Sequence, residues 1–416
     1  MYGGAQLFRA ATPRRLGDLA LAALDEYAPD AGQFAAAMGL AASDATLMET
    51  VRERVVAKLR QEPVEDYRLD FEDGYGERSG AEEDGHAQSA AREVASAFTS
   101  RTLPPFVGIR IKPMTQERYA RALRTLDLFV TTVVRESGGA LPSPFVVTLP
   151  KILTASHVTA VVRACDALER SLRLRAGAIG LELMIETPQA ILGADGTVAI
   201  PALIAAGAGR VGSVHFGPYD YTSLCGITAA WQRLQHPACD FARHLIQIAL
   251  AQSGVRLSDG PTNVMPVPRH KSAPGTPLTA AERRDNRASV HEAWHRHFDD
   301  VSHALRAGIF QGWDLHPAQL VTRYAALHTF FLSSLGEATT RLRRFVEQAA
   351  QATMSGNVFD DAATGQGLLN FFVRGMECGA LTPSMAEESG LTADELRSRS
   401  FLTILERRAA AAHARK

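Results

Sequence analysis

Glu186, in LMIETP, and Asp220, in HFGPYDYTSLCG, each stand just past an apolar run. If those runs are neighbouring parallel strands, about 4.8 Å apart, the two carboxylates can share one ion. Oxygen ligands without a nearby cysteine suit a hard divalent cation, Mg2+ or Mn2+, with positions left open for water and substrate. Acids also gather at strand-to-helix turns as helix caps and salt-bridge partners, so spacing alone leaves both readings open. Arg110, in GIRIKP, can grip a carboxylate with two nitrogens and stabilise oxyanion charge. Equally, it can form a structural ion pair with Glu72 or Asp73 of LDFEDGYG. Lys151 in TLPKI and His316 in DLHPAQL read as structural by residue type. HEAWH, His291 to His295, offers a different chemistry. It fits the H-E-x-x-H pattern, two imidazoles one helical turn apart with a glutamate to activate water.

Positioning these groups is the work of short apolar runs that recur along the chain. They are DYRLDF (66–71), FVGIRI (106–111), FVVTLP (145–150), IGLELMI (179–185), RVGSVHF (210–216), the region 255–267 and GIFQGWDL (308–315). Helix-like segments such as QERYARALRTLDLFVTTVV lie between them. Runs that are apolar rather than alternating fit strands buried on both faces of a parallel sheet, and the spacing fits strand–helix units. The expected fold class is α/β, a (β/α)8 barrel, whose working residues stand at the C-terminal ends of its strands. That rim would hold Asp70, Glu72, Asp73, Arg110, Lys151, Glu186, Asp220 and His316. Residues 1–60 read as an N-terminal helical extension, into which the first strand falls if it is AQLF near Gln6. Residues 61–335 read as the barrel, and 336–416 as a C-terminal helical segment suited to oligomerisation or a lid. Residues 266–286 read as a long loop.

HEAWH then falls on the helix before the last strand. At 100° per residue, Val290, Trp294, Phe298, Val301 and Leu305 form its core-facing stripe, with the histidines to the flank and Glu292 nearly opposite. Phe298 also stands where the extended zinc pattern requires glycine. The motif reads as coincidence.

The 416 residues are 46% hydrophobic and 21% charged, with formal net charge -1 and pI about 6.9, so no basic field points to nucleic acid or an anionic membrane. Cys165, Cys225, Cys239 and Cys378 are scattered and form no C-x-x-C, and no segment reaches the length of an apolar span. The expected setting is the reduced cytoplasm, with a small molecule as partner.

LDFEDGYG, GIRIKP, TLPKI, IETPQAIL, HFGPYDYTSLCG and GWDLHPAQL, in that order from about residue 66 to 330, resemble the HpcH/HpaI aldolase and citrate lyase β-subunit family, which includes malyl-CoA lyases. The resemblance implies that Glu186 and Asp220 hold Mg2+, or Mn2+, and that Arg110 binds the substrate's carboxylate or oxo group. Glu72 and Asp73 would support the metal's waters, and Gly217 and Pro218 would line the substrate. The activity implied is cleavage of a carbon–carbon bond beside a carbonyl through a metal-stabilised enolate. The substrate would be a 2-oxo or 2-hydroxy acid or its CoA thioester, and the protein a homo-oligomer. Candidates for the base are His215, His316 and an acid in the C-terminal region. Thioester hydrolysis by the same equipment, and a non-catalytic barrel subunit, are the alternatives. The family's usual opening strand is not recognisable. No CoA-phosphate cluster stands out, although Arg68, Arg78 and Lys112 fall near the rim.

Overall fold

The computed structural model describes residues 1–40, 44–273, 275–347, 353–355, 358–360 and 362–413. It divides into two compact units, Met1–Gly39 with Val56–Arg323, and Leu40–Val55 with Tyr324–Lys416.

The first unit is built on a seven-stranded sheet whose order follows the chain: β1 (Tyr2–Gly4), β2 (Asp66–Asp70), β3 (Phe106–Arg110), β4 (Phe145–Leu149), β5 (Ile179–Ile185), β6 (Val211–Phe216) and β7 (Arg256–Ser258). Every pairing is parallel. Register places Asp70 beside Arg110, and Arg110 beside Thr148, so the carboxyl ends of successive strands meet along one edge. β2 to β6 fall within the apolar runs expected for them. Their burial on both faces reflects helices such as Gly80–Thr99 and Tyr119–Glu136 in the crossovers. The Ser79–Glu82 capping box satisfies the first amide groups of the former.

Three expectations are corrected. The first strand is Tyr2–Gly4, whereas Ala5–Leu7, within AQLF, is a 3-10 turn. The helices Thr12–Tyr27, Ala31–Ala37 and Ala45–Gln61 consequently stand between β1 and β2. In the region 255–267 only Arg256–Ser258 forms a strand, because Pro261, Pro266 and Pro268 follow closely and supply no amide donors. Residues 308–315 form no strand either. Their backbone still reaches both edges of the sheet: Gln311 bridges Ser258 and accepts from Asp259 N–H at 2.9 Å, while Asp314 O accepts from Tyr2 N–H at 3.3 Å.

The helix Ala280–Arg306 starts at a Thr279–Glu282 capping box and buries Val290, Trp294, Phe298, Val301 and Leu305, the stripe expected from its periodicity. Trp294 donates through its indole N–H to Ala318 O at 2.8 Å. His291 Nε2 lies 2.8 Å from Tyr27 O, His295 Nε2 lies 3.5 Å from Asp299, and Glu292 is exposed. The two imidazoles of HEAWH therefore face separate partners.

The second unit is mainly helical, with an antiparallel pair Thr353–Ser355 and Val358–Asp360. Phe345 stacks on Phe401 at 5.2 Å, and Gly365 packs so closely against both rings that a Cβ there would collide. No helix among the described residues is long and apolar enough to cross a membrane.

Candidate active site

Asp70 and Arg110 end adjacent strands and are both almost fully buried. Arg110 donates through Nε and Nη2 to the two Asp70 oxygens, at 2.7 and 2.5 Å. Those oxygens also accept from Glu72 N–H and Gly74 N–H at 2.9 and 2.7 Å, so Asp70 folds the FEDG turn as it holds the arginine. Arg110 is thus paired bidentately with Asp70 rather than with Glu72 or Asp73. Its remaining nitrogen, Nη1, donates to Met184 Sδ at 3.7 Å and lies 3.2 Å from Glu72 and 3.5 Å from Asp73. The rings of Tyr2 and Trp313 flank the guanidinium at 5.2 and 5.4 Å, a cation–π setting that excludes water from it. Burial alone would lower its pKa, but Asp70 and Glu72 outweigh that and hold it above the usual arginine range.

β4 runs into Pro150 and then Lys151, which adopts the left-handed backbone conformation at φ 48°. A non-glycine residue there is uncommon and persists where contacts hold it. Lys151 N–H donates to Glu186 Oε1 at 2.6 Å. Its ammonium donates to Glu72, lies 3.1 Å from both Asp73 oxygens and stands 3.7 Å from Asp220 Oδ2. Lys151, which reads as structural by residue type, touches four of the five rim acids, all but Asp70. Its pKa is held above the usual lysine value: burial opposes this, but Glu186 and Glu72 prevail.

Glu186 follows β5 and is buried, while Asp220, in the first turn of the helix Pro218–Leu224, is half-buried. Burial pushes the Glu186 carboxyl up to about 8; Lys151 opposes the shift and Asp220 adds to it. Glu72 is raised to about 7, chiefly by burial, with Arg110 opposing. Gly217 packs directly on Glu186, since a Cβ there would lie 2.5 Å from the Glu186 Cβ. Pro218 supplies the fixed backbone at the helix start and presses on Gly260.

Other residues lie away from this edge or are spent on local structure. Arg68 is buried, paired with Glu182 at 3.1 Å and with Asp66. Lys112 is buried on Phe71 O at 2.9 Å and Glu83 at 3.2 Å. Arg78 lies 5.7 Å over the Tyr75 ring. Neither Arg68 nor Lys112 is therefore a free rim cation. His316 Nδ1 accepts from Ala318 N–H at 3.2 Å within its own turn. His215 Nε2 faces Glu182 at 3.0 Å, inside the sheet. Glu182, not singled out from sequence, also accepts from Thr148 and Ser213, each at 2.7 Å. Burial would raise its pKa, yet Arg68 and His215 hold it well below the usual range. Its position inside an otherwise apolar strand, IGLELMI, was the available signal.

Among the described residues, no group of three or more His, Cys, Asp or Glu side chains stands arranged to hold a metal ion. The chemistry of the rim nevertheless fits a hard cation. Among the described residues, the cationic side chains that meet Asp70, Glu72, Asp73 and Asp220 are Arg110 and Lys151, and Arg110 is largely committed to Asp70. Carboxylate oxygens with an excess of negative charge are the donor set that Mg2+ or Mn2+ takes.

A seven-stranded parallel sheet in chain order, with its charged groups collected at the strands' carboxyl ends, defines an α/β protein; the eighth strand of a full (β/α)8 barrel is not formed among the described residues. The chain belongs to the family described as Domain of unknown function (DUF6986), whose model matches residues 1–404. No curated protein matches it. Its fold is similar to that of a citrate lyase from Burkholderia xenovorans LB400, with TM-score 0.57 and 20% identity over 81% of this chain and 91% of that one. Further similarity extends to Mycobacterium tuberculosis CitE in complex with magnesium, acetoacetate and coenzyme A, at TM-score 0.48 and 17% identity over 78% of this chain and 94% of that one. Haloferax volcanii malate synthase in a lead(II) complex gives TM-score 0.45 and 14% identity, over 82% and 88%.

Proposed function

We propose that this chain is a divalent-metal-dependent carbon–carbon lyase acting on a 2-oxo or 2-hydroxy acid or on its CoA thioester. The observation that carries the reading is the rim itself, where Arg110, Lys151, Glu72, Asp73, Glu186 and Asp220 meet at the carboxyl ends of consecutive parallel strands. Glu186 and Asp220 would hold Mg2+ or Mn2+, and the bound cation would supply the Lewis-acid charge that favours enolate-like electron density beside a carbonyl. Arg110, fixed by Asp70 and flanked by Tyr2 and Trp313, presents Nη1 as a preorganised donor for a substrate oxygen. Glu72 and Asp73 face that nitrogen at 3.2 and 3.5 Å and would orient water near the cation. Gly217 leaves the space that Glu186 occupies. The motif resemblance supports the same assignment.

Incubation with a panel of 2-hydroxy acids and their CoA thioesters, with Mg2+, tests the reaction class. Two carbon fragments, one of them an oxo acid, are expected. Release of CoA with the carbon skeleton intact indicates thioester hydrolysis instead. Self-association belongs to the same proposal and is checked by sedimentation of the full chain.

A further inference from the structure

Resting on that reading, we propose that Lys151 is a tethered counter-ion of the rim, neutralising Glu72, Asp73 and Asp220 until a divalent cation displaces its ammonium. Lys151 thereby sets the affinity for the metal.

Three observations point there. The ammonium reaches carboxylates from two strand ends, Glu72 and Asp73 after β2 and Asp220 after β6, while the same residue's N–H holds Glu186 after β5. Backbone and side chain thus do separate work: the amide fixes one proposed ligand, and the ammonium covers the other. The amide anchor on Glu186 does not involve the ammonium, and the Lys151 side chain is 28% exposed. Finally, Lys151 holds the left-handed backbone conformation, φ 48°, at the turn after β4 from which its N–H meets Glu186 and its ammonium meets Glu72 and Asp73.

Electrostatics then dictates the exchange. An ammonium and a dication near the same carboxylate oxygens repel each other, and a cluster already balanced by an ammonium offers the incoming ion less. Strong local charges of this kind dominate a site's behaviour. Removing the charge while keeping the stem therefore tightens metal binding and weakens the metal-free protein. A lysine with a merely structural role predicts loss of both.

The test is calorimetric titration of Mn2+ into wild type, Lys151→Met and Lys151→Arg, with thermal melts of each in chelator and in Mn2+. Lys151→Met is expected to bind Mn2+ at least tenfold more tightly, to melt lower in chelator, and to gain more than wild type from the metal. Lys151→Arg keeps the charge and is expected to stay within a few fold of wild type. A second measurement uses unaltered protein: acylation of lysine amines followed by peptide mapping. Mn2+ is expected to raise the labelling of Lys151 several fold and leave Lys271, outside the rim, unchanged. If wild type binds Mn2+ but Lys151→Met binds no more tightly, or Lys151 labelling does not rise, the counter-ion role is wrong while the metal site stands. If no form binds Mn2+, the metal reading itself fails and this inference with it.

Discussion

At the scale of single residues, the pairing of Asp70 with Arg110 decides what the arginine is free to do. Both are buried and share two hydrogen bonds, so removing one partner strands the other's charge. Arg110→Met is expected to cost about 3–5 kcal/mol in denaturant unfolding, and Asp70→Asn combined with it to cost much less than the sum of the two single changes. Gly217 sets a different constraint. Its missing Cβ is the space in which Glu186 stands, so Gly217→Ala is expected to weaken Mn2+ binding at least tenfold while costing about 1–3 kcal/mol of stability from overpacking. Unchanged Mn2+ affinity in that variant would mean that Glu186 is no ligand. The identities of the rim residues were legible in the sequence because each follows an apolar run. Their partners were not: the sequence points to Glu72 or Asp73 as the partner of Arg110, whereas the folded FEDG turn places Asp70 in its fork. Lys151 was undervalued for the same reason, since its role depends on a backbone angle and on contacts from distant strands.

At the scale of elements, β2 to β6 were legible because strands buried on both faces are written as continuous apolar runs. β1 and β7 are only three residues each, too short for any periodicity to register. The segment 308–315 carries a strand-like composition but only one isolated bridge, at Gln311, and its Gly312 lies close against the Arg323 guanidinium. Close strand approach elsewhere is equally unforgiving. A Cβ on Gly108 would lie 2.0 Å from Val146 O, a backbone atom in the neighbouring strand. Gly108→Ala is therefore expected to destabilise the β3–β4 pairing, by about 3 kcal/mol or more, and to loosen Arg110 two residues later. Amide exchange that is faster in β3 and β4 than in the helix Ala280–Arg306 checks it; uniform exchange contradicts it.

At the scale of the whole molecule, Asp314 joins the last segment of the first unit to its beginning. Its backbone oxygen accepts from Tyr2, and its carboxylate accepts from Arg323 at 2.6 and 2.8 Å and faces His297 Nε2 at 2.9 Å. Burial would raise the Asp314 carboxyl, but Arg323 and His297 outweigh it and hold it well below the usual carboxylate range. A carboxyl depressed by folding contributes stability that is present above its unfolded value, near 3.9, and is lost as pH falls through the folded one. Wild type is accordingly expected to lose stability steeply below about pH 5. Asp314→Asn should start less stable at neutral pH and show a shallower slope in the acid range. Equal slopes would remove Asp314 from the account. The central claim is the metal-dependent rim, and calorimetric titration of Mg2+ or Mn2+, with and without pyruvate, oxalate or glyoxylate, tests it most directly in wild type and Asp220→Ala. The account predicts that wild type binds the metal, that oxo acid binding requires it, and that Asp220→Ala loses both. Oxo acid binding that ignores the metal, or an Asp220→Ala variant that binds both as wild type does, would contradict it.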